Sequence, residues 1–236
     1  MIMKHLILLY FGLCLFVSCS PKITSQIIER QPQNDGEVFV LLKKDDLPND
    51  ARKIGTITVS PRYFTTTKGG TLDRVIDKGK LDAKRMGGNV IVITQHKAPS
   101  ISKATHYIEA DVYAANTQLV EKSDTHSADY SSIWLYRYMW ADGFSYDVFL
   151  DDKVVYSSIG GTKAEIRITK AGKYTIWATT GQKKVSYSLD VKLGRDYYVE
   201  TNIWSGLLIP NPLFIPVSTI SGKMAIAEIT RNLVVE

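Results

Sequence analysis

The sequence predicts an α+β protein in two parts: an α+β N-terminal domain with strand order ββαββ, followed by an all-β antiparallel sandwich. Residues 37–115 contain four strand-like runs around one helical pattern, which indicates a sheet with a helix on one face. Residues 130–236 contain closely spaced strand-like runs separated by turn residues, a spacing typical of sandwiches and barrels. A hydrophobic content of 44% and a charged content of 22% are those of a globular chain.

The chain begins with the pattern of a secretory signal. Lys4 precedes the apolar run "LILLYFGLCLFV", which is shorter than the roughly 20 residues of a membrane-spanning helix. The run ends in "FVSC", which resembles the bacterial lipobox. That resemblance implies that Cys19 receives a diacylglyceryl thioether, that residues 1–18 are removed, and that the new amino group is acylated. The alternative is that Cys19 is an unmodified cysteine at the end of an apolar stretch.

The residues after Cys19 predict a location and a tether. Ser20 stands where lipoproteins kept at the inner membrane have Asp, so the resemblance implies the outer membrane, facing the periplasm. The polar residues that follow, with Pro21, Pro32 and Gly36, indicate a flexible tether. The predicted organisation is a signal (1–18), a tether (19–36), a small α+β domain (37–115), a linker (116–129) and a β-sandwich domain (130–236).

Charge and cysteine content exclude several classes of function. The net charge of +5 is scattered along the chain, whereas nucleic-acid binding requires a clustered basic stripe. The two cysteines are Cys14 and Cys19. If residues 1–18 are removed and Cys19 is lipidated, no thiol is left for a disulfide or a cysteine metal site.

The N-terminal domain is predicted element by element. "EVFVLLK" and "KIGTITVS" are strand-like, and "TLDRVIDKGKLDAKRM" has helical periodicity. Asp73 suits the positive N-terminal end of that helix and Gly87 suits its C-terminal cap. "NVIVITQ" and "THYIEADVYA" are the last two strands. "DAKRMGGNVIVI" followed by "YIEADVYA" resembles the small α+β envelope modules of Rcs stress-sensor lipoproteins and YbjQ-like domains. A sensor mechanism based on cysteine pairs is not implied, because the matching positions hold none.

The second domain is predicted to be strands throughout. Strand-like runs include "SIWLYRY", "SYDVFLDD", "KYTIWAT", "YYVETN" and "KMAIAEI", and "KVSYSLDVK" alternates cleanly between apolar and polar residues. The succession of "IWLYRY", "YDVFLDDKVV", "KAGKYTIWA" and "LGRDYYVE" resembles a lipoprotein β-sandwich domain of unknown function. The resemblance implies a fold and a compartment, and it implies no catalytic residue.

Motifs of enzymes and cofactor sites are missing from the sequence. It has no Gly-x-Ser-x-Gly elbow, no His-Glu-x-x-His motif and no P-loop. His96 and His106 could face each other across a hairpin and, with Glu109 or Asp111, form a metal site. The alternative is that they are two solvated histidines at strand ends. We therefore predict a non-enzymatic protein without a metal or a cofactor.

Two stretches are candidate binding surfaces. Aromatic residues crowd one hairpin, and the face formed by Trp134, Tyr136 and Trp140 could bind a glycan. The alternative is that they pack in a core, since strands favour aromatics. The stretch "NIWSGLLIPNPLFIPVS" is apolar but interrupted by prolines, so it is either a loop over the open end of the sandwich or an exposed binding patch. The candidate binding residues in it are Trp204, Leu207, Leu208 and Phe214.

These observations predict a bacterial envelope lipoprotein, anchored to the outer membrane through Cys19, that serves as a non-enzymatic binding, scaffold or sensory module. Its expected partners are membrane lipid, through the acylated N-terminus, and an envelope protein or glycan; nucleic acid is not expected. The alternative function is glycan or peptidoglycan binding through the aromatic hairpin between Trp134 and Tyr146.

Overall fold

The computed structural model describes residues 22–60, 71–100, 105–116, 129–139, 143–181, 183–205 and 210–233. The predictions for residues 1–18, for Cys19, for most of the linker, and for Trp140, Leu207 and Leu208 lie outside these residues. In the described part, fourteen strands form three sheets, and there are two α-helices. The protein is therefore an α+β fold with a sandwich-like region. None of the described helices has the length and apolar character needed to cross a membrane.

The N-terminal sheet has five strands in the order β1-β3-β5-β4-β2. The strands are β1 (Lys22–Ile27), β2 (Phe39–Leu41), β3 (Arg52–Ser60), β4 (Val90–Lys97) and β5 (Tyr107–Ala114), with a short 3₁₀ helix at Lys44–Asp46. Strand β2 pairs with β4 in parallel, and the other pairs are antiparallel. Three strands therefore precede the helix, where the sequence predicts two.

The additional strand, β1, lies in the stretch interpreted from sequence as a tether. It pairs with β3 from Lys22↔Ser60 to Ile27↔Gly55. Five of its six side chains are exposed, and only Ile23 packs against the core. An edge strand held by backbone hydrogen bonds needs no alternation of apolar residues, so the hydrophobic pattern does not reveal it.

Helix α1 (Leu72–Met86) covers one face of this sheet, as predicted. Its buried residues are Leu72, Val75, Ile76, Gly79, Ala83 and Met86, which pack against the apolar residues of β3, β4 and β5. Gly87 ends the helix with φ of 87°, in the left-handed region where glycine is unstrained.

The strands from Ser131 onward form two facing sheets, ordered β11-β10-β7-β8 and β13-β12-β6-β9-β14. These strands are β6 (Ser131–Arg137), β7 (Tyr146–Leu150), β8 (Lys153–Ser158), β9 (Thr162–Ile168), β10 (Gly172–Thr180), β11 (Lys183–Val191), β12 (Asp196–Ser205), β13 (Pro210–Val217) and β14 (Arg231–Asn232). Apolar side chains from both sheets form one core that includes Ile133, Leu135, Val148, Ile176 and Val199.

The prediction of a purely antiparallel, all-β sandwich is wrong in two respects. Strand β12 pairs with β6 in parallel, and β14 pairs with β9 in parallel. The run "KMAIAEI", predicted as a strand, belongs to helix α2 (Thr219–Glu228). Ser218 caps this helix by accepting a hydrogen bond from the Ser221 backbone N–H. A short apolar run does not distinguish a helix from a strand, and the cap is the signal that does.

Helix α2 lies very close to the sandwich because it carries a glycine at the contact. A Cβ atom added at Gly222 would lie 2.0 Å from Cγ of Tyr198 on β12, so no other residue fits there without movement. Met224 and the half-buried Ile220 pack against the N-terminal core, while Ala225 packs against Tyr136 and Tyr198. The helix therefore packs against both the N-terminal core and the sheet that contains β12.

The expectation of a loop or an exposed patch is wrong for the second half of the proline-rich apolar stretch. Pro210–Val217 is strand β13, paired with β12 from Ser205↔Pro210 to Tyr198↔Val217, whereas residues 206–209 lie outside the described part of the chain. Proline is tolerated there because β13 is at the edge of its sheet. Phe214, 7% exposed, points into the sandwich core.

Candidate functional site

The sheet that contains β6 and β12 has two different faces. One face contributes apolar residues such as Leu135 and Val199 to the sandwich core. On the other face, Tyr136, Tyr138 and Tyr198 pack against α2. Titratable groups gather at this second face and at the adjoining N-terminal sheet, and we name them the interdomain polar cluster. Five of them have buried side chains, and the sixth, Glu228, is partly exposed at the end of α2: His96, His106, Tyr136, Tyr138, Glu200 and Glu228.

A chain of three side chains connects the N-terminal sheet to α2. Oε1 of Glu228 lies 2.5 Å from Nδ1 of His96, and Nε2 of His96 lies 2.9 Å from Nδ1 of His106. The two imidazole rings stack, with centroids 5.1 Å apart and 15° between their planes. Both contacts are satisfied when each ring holds one proton: His96 donates from Nδ1 to Glu228 and accepts from Nδ1 of His106.

Burial makes protonation of His106 unfavourable. The side chain of His96 is 2% exposed, and His106 is likewise 2% exposed. Burial lowers the pKa of His106 well below its usual value of 6.5, and the neighbouring His96 lowers this pKa further. His106 is therefore held neutral near pH 7, and its protonation on acidification would place a charge between the N-terminal sheet and α2.

Two tyrosines complete the surroundings of the histidines. The ring of Tyr138 meets that of His106 edge to face, with centroids 5.0 Å apart, and Tyr136 meets Tyr138 in the same way at 5.6 Å. Burial raises the pKa of both tyrosines well above 10, and the nearby Glu200 raises both further. Among the described residues, the buried Tyr138 hydroxyl has no hydrogen-bond partner.

Glu200 is the buried acid of the cluster. It is 5% exposed, sits beside Tyr136 in the parallel β6–β12 register, and accepts a hydrogen bond of 3.0 Å from Nδ2 of Asn202. Burial raises the pKa of Glu200 to about 7; the hydrogen bond from Asn202 opposes this rise and Asp73 adds to it. The carboxyl group therefore changes charge near neutral pH, inside the protein.

Asp73 links the N-terminal ends of the two helices. It lies in the first turn of α1, and its carboxylate accepts hydrogen bonds from the backbone N–H of Ser218 (3.0 Å), the Ser218 hydroxyl (2.5 Å) and the Ser221 hydroxyl (2.6 Å). A carboxylate is stabilised at the positive end of a helix, and here it contacts two such ends at once. This contact fixes α2 to the N-terminal domain.

The fold brings His96 and His106 together, as one of the two interpretations of the sequence predicts. The solvated alternative is wrong, because His106 and the side chain of His96 are each 2% exposed. Their third partner is Glu228, since Glu109 accepts from Tyr107 and Asp111 forms ion pairs with Lys44 and Lys53. Within the described ranges, no group of three or more His, Cys, Asp or Glu residues could hold a metal ion. The arrangement links titratable side chains of the N-terminal sheet to α2 by hydrogen bonds.

The predicted binding residues are in different environments. Tyr136 is buried, and Trp134 is half-buried against the cluster that includes Ala225. Phe214 is in the sandwich core, and the side chain of Trp204 is outside the described part of the structure, as are Trp140, Leu207 and Leu208. The sequence analysis does not identify Glu200 and Glu228 as candidate functional residues. Only the alternation of Tyr198, Glu200 and Asn202 along β12 could have indicated a polar face.

Compared with protein-family models, with curated proteins and with solved structures, the chain matches none. The functional argument therefore rests on the residues of this chain.

Proposed function

We propose that the protein is a bacterial envelope lipoprotein that acts as a non-enzymatic, two-domain binding, scaffold or sensory module, anchored to the outer membrane through Cys19 and facing the periplasm. The observation that carries this proposal is the apolar run that ends in "FVSC". Two acyl chains or more hold a protein firmly at a membrane, because each buried CH₂ contributes about 0.8 kcal/mol.

The distance from Cys19 to the folded domain supports a role close to the membrane. Strand β1 begins at Lys22, so only Ser20 and Pro21 lie between it and Cys19. At about 3.5 Å per extended residue, the first strand would begin within about 10 Å of the lipid-bearing sulfur. The N-terminal domain would then lie at the membrane surface and the sandwich beyond it.

The interdomain polar cluster supports the sensory form of the proposal. His96, His106 and Glu228 come from both sides of the domain contact, and Glu200 changes charge near pH 7. Because a change of proton occupancy alters the charge buried between the domains, the contact would respond to acidity.

The anchor is tested by replacing the cysteine. Cys19→Ala should leave the precursor unprocessed, abolish incorporation of labelled palmitate, and release any processed protein from washed membranes. Cys14→Ala is the matched control, because that cysteine lies inside the apolar run and should mature normally. If Cys19→Ala still incorporates palmitate and matures, the lipid anchor is excluded.

Glycan binding through the aromatic hairpin is the second candidate, and the exposure of Phe144 (56%) and Met139 (53%) on that hairpin favours it. Retention of the purified protein on insoluble cell wall should fall for Trp140→Ala. It should not change for Trp177→Ala, which removes an aromatic from the other sheet. Equal retention of the three proteins would remove this candidate.

A further inference from the structure

Strand β11 (Lys183–Val191) is an open edge that fits a second copy of itself. Among the described strands it pairs only with β10, and it forms one end of its sheet. It is nine residues long and contains neither proline nor glycine, which are the usual interruptions of an edge. Its backbone is therefore suited to pair with another strand.

The other long edge of the sandwich is poorly suited to pairing. Strand β13 carries Pro210, Pro212 and Pro216, and proline has no backbone N–H to donate. This difference makes β11 the stronger template for an added strand.

The side chains of β11 alternate between two environments. Lys184, Ser186, Ser188 and Asp190 are exposed. Val185 and Tyr187 are half-buried, and Leu189 and Val191 are buried, on the side of the sandwich core. An added strand would cover the half-buried pair and extend both faces of the sheet.

The order of charges along β11 selects one arrangement. In an antiparallel pair with a two-fold axis at Tyr187, residue n lies opposite residue 374 minus n, so Lys184 of each copy lies opposite Asp190 of the other. The same register places Val185 opposite Leu189 and Ser186 opposite Ser188. A parallel in-register pair would instead place Lys184 opposite Lys184 and Asp190 opposite Asp190, which is unfavourable.

We propose that the protein forms a two-fold symmetric dimer in which β11 of one copy pairs antiparallel with β11 of the other, centred on Tyr187. The two four-stranded sheets become one eight-stranded sheet, with an ion pair between Lys184 and Asp190 at each end of the contact. The interface is isologous and uses the β11 edge of both copies. The dimer does not depend on lipidation of Cys19, so it goes beyond the proposed function.

A charge-reversal cycle tests the register. The whole chain is purified in a mild detergent and its mass is followed by sedimentation velocity over a dilution series. Lys184→Asp and Asp190→Lys each place like charges opposite one another at both ends of the contact, so each should raise the dimer dissociation constant about tenfold. The double variant restores the attraction with reversed sign and should return the constant to that of the parent.

The control for the charge change is Lys153→Asp, at the opposite edge of the same sheet, which should leave the constant unchanged. A monomeric parent, or a double variant no better than the single variants, would overturn the proposal.

A cross-link tests the geometry independently of the charges. A chain that carries Cys14→Ser, Cys19→Ala and Tyr187→Cys has one thiol, at position 187. In the proposed dimer this thiol faces the same thiol of the other copy across the two-fold axis, so mild oxidation should give a disulfide-linked dimer. Lys153→Cys in the same background should stay monomeric. A chain in which only the Lys153→Cys variant cross-links would show that the contact lies at the wrong edge.

Discussion

The sheet formed by β13, β12, β6, β9 and β14 makes different kinds of contact on its two faces. On one face, Ile133, Leu135 and Val199 pack against the facing sheet through apolar contacts. On the other face, Tyr136 and Tyr138 pack against α2, Tyr138 also meets His106, and Glu200 lies close enough to both tyrosines to raise their pKa values. Apolar packing is nearly independent of pH, whereas a contact built from buried titratable groups is not. The difference predicts that acidity acts on the domain contact before it acts on the sandwich.

The largest effect is expected on the apolar face. Leu135→Ala removes a fully buried side chain and should lower the free energy of unfolding by about 2–5 kcal/mol, equally at every pH. Urea denaturation at pH 5.5, 7 and 8.5 measures this loss. Ile27→Ala, at a residue 45% exposed, is the control and should change stability by less than about 0.5 kcal/mol. A loss for Leu135→Ala that varies with pH would contradict the comparison.

On the polar face, Glu200→Gln should stabilise the protein at high pH. The pKa of Glu200 is raised to about 7, so its contribution to stability is full below its unfolded value of 4.5 and is lost as the pH rises through 7. Glutamine keeps the oxygen that accepts from Asn202 but carries no charge. The variant should exceed the parent by about 3 kcal/mol at pH 8.5 and should match it near pH 4. Parallel stability curves for the two proteins would show that Glu200 does not titrate inside the fold.

Asp73→Ala should weaken the contact between the helices. It removes three hydrogen bonds to Ser218 and Ser221, and we expect a loss of about 1–2 kcal/mol, because part of the site is exposed. Limited proteolysis measures the accompanying loosening of α2. Asp77→Ala, on the same helix outside this contact, is the control. If the two variants are cleaved at the same rate, Asp73 does not fix the helix.

The smallest effect is expected at His106, and it has the opposite sign from that at Glu200. Because the pKa of His106 is lowered, its contribution is present above the unfolded value of 6.5 and is lost as the pH falls. In a Glu200→Gln background, stability should therefore fall between pH 6.5 and pH 5.5, by at most about 1 kcal/mol, the limit that protonation of the unfolded histidine sets. Adding His106→Gln should flatten this slope, and adding His126→Gln should not. A slope that survives His106→Gln would assign the acid response to another group.

The sequence predicts the elements whose pattern is strong and misses those that depend on neighbours. Helix α1 has its predicted extent and cap, since its apolar period, Asp73 and Gly87 are all local signals. Strand β1 is nearly all exposed and shows no alternation, so only its partner β3 reveals it. The sequence predicts a strand in place of helix α2, because the apolar residues of this helix pack in two directions and do not form a single apolar face.

The residues of the candidate site can likewise be predicted from the sequence only where local pattern brings them together. A hairpin from β4 to β5 brings His96 near His106, so this pair is within reach of sequence reasoning. Glu228 arrives from a helix 132 residues further along the chain, and Glu200 becomes unusual only because folding buries it. Neither residue belongs to a motif, and a pKa depends on surroundings that a linear pattern does not contain.

The glycine at position 222 has a consequence for how the domains separate. Helix α2 has ten residues, with Gly222 and several β-branched residues, and such a segment has little tendency to be helical by itself. The helix is therefore stabilised by packing against the surfaces on either side of it. We expect its amides to exchange with deuterated water faster than those of β6 and β12, through brief openings of this segment alone. Each such opening would separate Glu228 from His96 and leave the sandwich folded. We therefore expect the contact between the N-terminal sheet and the sandwich to open through local unfolding of α2.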